Sequence, residues 1–242
     1  MMAGTRHFAE FADEQGDVWR INIHDADLPG GYTATEFQVG SEGFVLSYAG
    51  NNEQTHQPII GSSVEFTMYE STTAHTQTLD LFTSVAEGRL ICEIYQDPDS
   101  ANVLYWRGVI LAEQVVRMDE AKPTAVRITA TDDLGNLKEV PFAATLAGLG
   151  SSGNSVKNHI VRCMAGLRTY DMWGSGEVLI RYINDVEGYH ATQSSADPLA
   201  DIIADIPIIV EDDGTETAYN CFDILTGLAT AMNARVFLSE RI

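Results

Sequence analysis

Asp132 and Asp133 are adjacent carboxylates, followed by Leu134-Gly135, at the end of the β-patterned run "AVRITATD" (125–132). Two neighbouring carboxylates are the raw material of a metal site or of a general acid/base pair. Aspartates ahead of a glycine also favour a turn, because their side chains bond the backbone two residues on and tolerate unusual φ/ψ. No second acidic cluster has the spacing to complete a metal site, so the sequence predicts a turn. His24, Asp25 and Asp27 form another partial ligand set, but a strand running into a polar loop produces the same letters. "EDDGTE" (211–216) lacks the alternating ligands and closing glutamate of a calcium loop and reads as a hairpin around Asp213-Gly214.

The other chemically capable residues are dispersed. His7, His56, His75, His159 and His190 are isolated, with no H-E-x-x-H spacing. Cys92, Cys163 and Cys221 are far apart, lie among apolar residues and make no C-x-x-C pair, so they are expected as buried free thiols in a reducing compartment. There is no G-x-S-x-G elbow and no S-x-x-K, and "GSSGNS" (150–155) lacks the lysine of a phosphate loop. Trp19, Trp106 and Trp173 sit among apolar neighbours and read as core anchors in preference to a sugar-stacking platform. The residues therefore assign no catalytic, cofactor-binding or metal-ligating position.

Charge is the strongest compositional signal. Thirty-five acids against fourteen bases give a formal net charge of −21, and the only lysines are Lys122, Lys138 and Lys157. Such a chain repels phosphate backbones, which excludes stable nucleic-acid binding through counterion release. The acids are spread among aromatic and β-branched residues, unlike a disordered acidic tail. Two compatible readings remain. One is a protein made for high salt, where an acidic, lysine-poor surface stays soluble; the other is a surface past which DNA slides without adhering. No run of eighteen apolar residues exists and "MMAGTRHFAEFADEQGD" lacks a signal peptide's apolar stretch, so neither membrane insertion nor export is expected.

The elements that must position these residues follow from periodicity. "VWRINIH" (18–24), "FVLSY" (44–48), "SVEFTMYE" (63–70), "RLICEIYQ" (89–96) and "AVRITATD" alternate with a period of two, separated by turn residues such as Pro29-Gly30-Gly31 and Asp97-Pro98-Asp99-Ser100. Many short strands with polar turns predict an antiparallel barrel or sandwich over 1–147. After the Gly/Ser stretch 148–155 the pattern changes to a smaller α+β domain, 148–242. Asn154 or Ser155 caps a helix with Val156, Ile160, Met164 and Leu167 on one face. A strand at 177–183, a short helix from Asp197-Pro198 to about Ala204 and a hairpin over 206–220 are expected next. A helix over 221–232 follows, with Phe222, Leu225, Leu228 and Met232 facing inward. "ARVFLSERI" reads as a strand that stops abruptly, which suggests a longer polypeptide or a partner strand supplied from elsewhere.

Three pieces, in order, resemble one family. They are Trp19 in a "W-x-I-x-I" strand; "FQVGSEGFVLSYAGNNEQTHQPIIGSSVEFTMY" (37–69); and "IYQDPDSANVLYWRGVILAEQ" (94–114) closing on "ITATDDLGNLKEVPF" (128–142). The matching residues are Phe44, Leu46, Tyr48 and Gly50, then Pro58-Ile59 and Ser62-Ser63. Trp106, Gly108 and Ile110 continue the pattern, and Ala130, Asp132, Leu134 and Leu137 end it. The order resembles the N-terminal part of tail-tip proteins of long-tailed phages and their archaeal relatives, which are similar to the hub of a contractile-tail baseplate. The resemblance covers 18–142 well and 155–238 in style alone.

What the resemblance implies is a structural virion protein at the distal end of the tail: a homotrimeric, β-barrel-containing hub that closes the tail tube. Its implied partners are a distal-tail or tail-tube ring, tail fibre or receptor-binding proteins and the tape-measure protein, with DNA passing through the lumen. The acidic composition adds a halophilic host. A distal-tail ring protein, present as six copies, is the nearest alternative. A carbohydrate-binding module or glycan-active enzyme of a halophile is the alternative from another class.

Overall fold

The computed structural model describes residues 4–25, 27–28, 33–49, 57–82, 88–117, 122–142, 155–169, 204, 209–210, 216–217 and 219–238. The expected strand at 177–183, the helix opening at Asp197-Pro198, and His56, Trp173 and His190 lie outside the described residues. The chain divides into two compact units, Met1–Asp133 with Phe237–Ile242, and Leu134–Val236. This division precedes the Gly/Ser stretch because the 3-10 turn Leu134–Lys138 packs with the second unit's last helix.

The first unit is a mainly β structure, as the alternating pattern predicts. Its strands are β1 (Gly4–Ala12), β2 (Val18–Asp25), β3 (Thr35–Glu36), β4 (Gln38–Tyr48), β5 (Ser62–Glu70), β6 (Leu90–Gln96), β7 (Val103–Ile110), β8 (Val116–Arg117) and β9 (Thr124–Thr131), with α1 (Thr73–Phe82) between β5 and β6. They form one sheet in the order β3-β1-β2-β6-β7-β9-β5-β4, with β8 added on β9. The two ends of that path, β3 and β4, are separated in sequence only by Phe37. One continuous stretch, 35–48, thus pairs with β1 at its start and with β5 along the rest, and the sheet closes on itself as a barrel. Closure removes the exposed edges that invite unwanted strand pairing. The β1–β3 pairing is parallel, a departure from the all-antiparallel expectation. It follows from the register: β2 ends at Asp25 opposite Gly4, where β1 begins, so a strand that starts at that end on the other side of β1 runs in the same direction as β1.

Period-two alternation fills the interior. Val64, Phe66 and Met68 of β5 point inward beside Val126, Ile128 and Ala130 of β9, while Glu65, Thr67, Arg127 and Thr129 take the other face. Ile21, Ile23, Cys92 and Ile94 continue the core around the ring. Each fully buried Val, Ile, Phe or Met contributes about 1.5–3 kcal/mol relative to exposure. At one level of the barrel, Phe44 packs edge-on against Trp19 (centroids 5.2 Å apart) and Phe11 (6.3 Å), and Trp19 against Tyr105 (4.9 Å). Gly43 is required there: it sits at φ +63°, in the register shift between Val39 and Phe44, and an added Cβ would lie 2.5 Å from the Phe11 ring.

Two elements of this unit depart from the sequence expectation. β1 was not among the expected strands, because its inward positions are His7, Ala9 and Phe11, and a buried histidine and alanine blur the alternation. α1 is rich in threonine, whose branched side chain lowers helix propensity. Its start is fixed locally, where Thr72 Oγ1 accepts from the His75 amide (3.3 Å).

In the second unit α2 (Val156–Met164) begins as predicted, with Ser155 Oγ accepting from the Asn158 amide and Val156, Ile160, Met164 and Leu167 buried. β10 (Ile209–Val210) and β11 (Glu216–Thr217) pair antiparallel as the expected hairpin. α3 (Cys221–Ala231) is capped by Asn220, whose Oδ1 accepts from the Asp223 amide (2.8 Å). Its buried stripe is Cys221, Ile224, Leu225 and Ala229, so Phe222, Leu228 and Met232 of the expected face are only half-buried. The helix is rotated so that Cys221, not Phe222, starts the inner face. Residues 234–238 form no ladder strand: Val236 makes an isolated bridge, and Phe237 is 49% exposed.

Candidate functional site

The opening aspartates do form a turn: Asp133 takes the left-handed conformation (φ +69°) and Leu134 begins the 3-10 turn. They are not surface turn residues, however, since both are 3% exposed. The Asp132 carboxylate accepts from the Ser62 amide (2.5 Å) and hydroxyl (2.9 Å), and the Asp132 amide donates back to the Ser62 carbonyl. Ser62 Oγ also accepts from the Trp106 indole N–H (2.9 Å). A Cβ on Gly108 would lie 2.2 Å from both the Trp106 ring and the Thr131 carbonyl. Ser62, Trp106, Gly108 and Asp132 therefore lock the start of β5, the middle of β7 and the end of β9 together. With 3% of its surface accessible, Trp106 presents no face on which a sugar could stack.

Asp25 and Asp27 are brought next to arginines and His24 next to a carboxylate, not to one another as ligands. Asp25 receives Arg6 Nη2 (2.6 Å) and Arg89 Nε (2.6 Å), and Asp27 receives Arg89 Nη1 (3.2 Å). Burial opposes the Asp25 charge, but the Arg89 and Arg6 hydrogen bonds outweigh it and hold the carboxyl down at about 2. Beside it, on the face of β2, β6 and β7 opposite the core residues, His24 Nε2 meets Glu93 Oε2 at 2.7 Å. Tyr95 OH donates to the same oxygen (2.7 Å), and Arg107 Nε donates to Glu93 Oε1 (2.7 Å). Burial works against this charge too, yet His24, Arg107 and Tyr95 keep Glu93 at about 2.

This arrangement is chemically quiet. A general base needs a free lone pair and a pKa near the working pH. Glu93 has both oxygens engaged and lies far below that range. Thr5 Oγ1 approaches His24 Nδ1 at 3.3 Å, giving a hydroxyl–imidazole–carboxylate series, but Arg107 already balances the carboxylate charge. The cluster is an ion-pair network. Among the described residues no group of three or more His, Cys, Asp and Glu is placed to hold a metal ion.

A second polar cluster holds the barrel closure. His7 and His75 are buried with ring centroids 5.3 Å apart. Carbonyls only accept, so His7 Nδ1–H donates to the Thr35 carbonyl (3.2 Å) and His75 Nε2–H to the Glu36 carbonyl (3.0 Å). His75 Nδ1 in turn accepts from the Ser71 amide (3.2 Å). His75, accepting on Nδ1 and donating from Nε2, is the neutral Nε2–H tautomer, and the two imidazoles, His7 from β1 and His75 from α1, grip the two residues of β3. Desolvation, with a contribution from His75, pushes His7 down to about 4. Nearby, the buried Glu70 carboxylate accepts from Lys122 Nζ (2.9 Å) and Thr76 Oγ1 (2.5 Å). An open cleft of about 440 Å³ adjoins this corner, lined by Glu36, Phe37, Gln38, Ser71, Lys122 and Pro123.

In the second unit His159 Nε2 donates to the Ala204 carbonyl (2.9 Å), and Cys163 and Cys221 are buried free thiols, as is Cys92 in the barrel. Sequence reasoning missed Arg6, Arg89, Glu93 and Arg107 altogether. Glu93 and Arg107, each on the polar face of an alternating strand, were the available signal, but only the strand register places them opposite each other. No family model matches the chain, and neither a curated protein nor a solved structure matches it significantly. No helix among the described residues is long and apolar enough to cross a membrane.

Proposed function

We propose that this chain is a structural virion protein, a tail-tip or baseplate-hub subunit that closes the tail tube as a homotrimer. One observation carries the reading. The residues that bear the resemblance, among them Ser62, Trp106, Gly108 and Asp132, meet in space as the lock that joins β5, β7 and β9. Residues placed for chemistry would line an accessible cleft; these are buried and hold a barrel together. Closed barrels offer broad side surfaces, and heterologous contacts repeated around an axis close into a ring. A net charge of −21 suits a ring around a DNA path, because it repels phosphates.

Immunogold labelling of purified virions that contain the chain tests the proposal. Label at the distal tip of the tail is the expected result. Label on the capsid or along the tail shaft, or a chain found only as a free cytoplasmic protein, would contradict it.

A further inference from the structure

We propose that Cys163 and Cys221 are a disulfide-forming pair, oxidised by a peroxide to a bond that staples α2 to α3. Cys163 lies in the last turn of α2 and Cys221 is the first residue of α3, and these two helices pack on each other. Both thiols are buried, and Val140 lies against both of their backbones: its carbonyl accepts from the Cys221 amide (2.9 Å), and its side chain packs against Gly166, whose amide donates to the Cys163 carbonyl (3.0 Å). The packing of the two helices brings the cysteines together, and forming the bond asks the sulfurs to close to about 2 Å with a Cβ–S–S–Cβ dihedral near 90°.

The two cysteines are not equivalent. Cys221 occupies the N-terminal turn of an 11-residue helix, where the helix dipole favours negative charge, whereas Cys163 lies in the C-terminal turn of its helix, where the dipole disfavours it. Each thiol acts on the other in the same sense: Cys163 lowers the Cys221 thiol below its ordinary range, and Cys221 together with burial raises that of Cys163. Cys221 is therefore the attacking thiolate and Cys163 the resolving thiol. In the first step Cys221 S⁻ attacks hydrogen peroxide, the O–O bond breaks, and Cys221 sulfenic acid and hydroxide form. Cys163 sulfur then attacks the sulfenic sulfur; the S–S bond forms, the S–O bond breaks, and the Cys163 proton leaves with the hydroxyl as water. In sum, two thiols and one peroxide give one disulfide and two waters. Cys92 lies apart in the barrel core, where burial and then the Glu93 charge push its thiol up, which makes it inert.

The inference is independent of the proposed virion role. It is tested on the purified full chain, treated with hydrogen peroxide under native conditions, then denatured and alkylated with N-ethylmaleimide. Intact mass is expected to fall from three alkylated cysteines to one, with dithiothreitol restoring all three. A non-reducing peptide map is expected to show one linked pair, Cys163 with Cys221, and alkylated Cys92. Cys163→Ser is expected to stop at a Cys221 sulfenic acid that dimedone traps. Should that variant not fold, the peptide map of the unsubstituted chain decides by itself. Three alkylatable thiols after treatment, a linkage through Cys92, or Cys221 driven to sulfinic acid with Cys163 still alkylatable would each overturn the proposal.

Discussion

The barrel buries polar groups in two opposite ways. Around Glu93 it buries full charges and saturates them, with a guanidinium, an imidazole and a phenol on one carboxylate. Around β3 it buries two histidines without charge and spends their N–H groups on backbone carbonyls. The difference shows what each patch is for. Saturated charges fix the register of β2, β6 and β7 and tolerate almost any pH above strong acid. The two histidines fix the strand that closes the ring through their N–H groups, and a proton on His7 would place a charge in the interior, where desolvation opposes it.

The comparison breaks most sharply at Glu93. Glu93→Gln leaves the Arg107 guanidinium buried beside a neutral amide and is expected to destabilise the fold by about 3–5 kcal/mol. Denaturant unfolding followed by tryptophan fluorescence measures this, and a loss below about 1 kcal/mol would mean that the cluster is wet and weak.

Acid separates the two patches. His7 is held at about 4 against its ordinary 6.5, so between those values the unfolded chain binds the extra proton. The stability this gives is complete above about pH 6.5 and is lost as pH falls toward 4, by up to about 3 kcal/mol. Glu93 and Asp25, held at about 2, have depressed carboxyl values, and their contribution is lost only at lower pH, as it falls from the ordinary carboxylate range toward 2. His7→Asn keeps an N–H for the Thr35 carbonyl but does not titrate in this range. It is expected to flatten the stability–pH curve between 6.5 and 4 and leave the lower limb in place. An unchanged slope in that variant would assign the sensitivity to other groups.

A smaller effect is expected at the aspartate lock. Asp132→Ala removes the acceptor of the Ser62 amide and hydroxyl and is expected to cost about 2–3 kcal/mol, with neither calcium nor magnesium altering the melting temperature of the unsubstituted protein. Salt gives the smallest and most diffuse change. With a charge of −21, raising salt from about 0.1 M to about 1 M shortens the screening length from roughly 10 to 3 Å and is expected to raise the melting temperature. A flat melting temperature over that range would remove the high-salt reading and leave the ring proposal intact.

Much of the barrel was legible in the sequence because alternation is a local property. Val64, Phe66 and Met68 announce a half-buried strand without reference to any partner. Closure was not legible, since Thr35 and Glu36 carry no pattern, and both their parallel pairing with β1 and the grip of His7 and His75 on their carbonyls join distant parts of the chain. The aspartate turn was read correctly as a turn, but its burial depends on Ser62, seventy positions away in the chain. Glu93 and Arg107 carried no signal beyond their place in alternating strands, because only the register sets them opposite each other. Cys163 and Cys221 looked unrelated, because packing between two helices, not spacing, brings them together.

The central claim, that the barrel is one member of a closed ring at the tail tip, is tested most directly by a reconstruction of the particle that carries the chain. The account predicts three copies around the tail axis at the distal end, with β3 paired to β1 in each barrel and acids outnumbering bases on the wall that faces the axis. Six copies would move the chain to a distal-tail ring, and a monomer away from the tail axis with a ligand in a cleft would contradict the account.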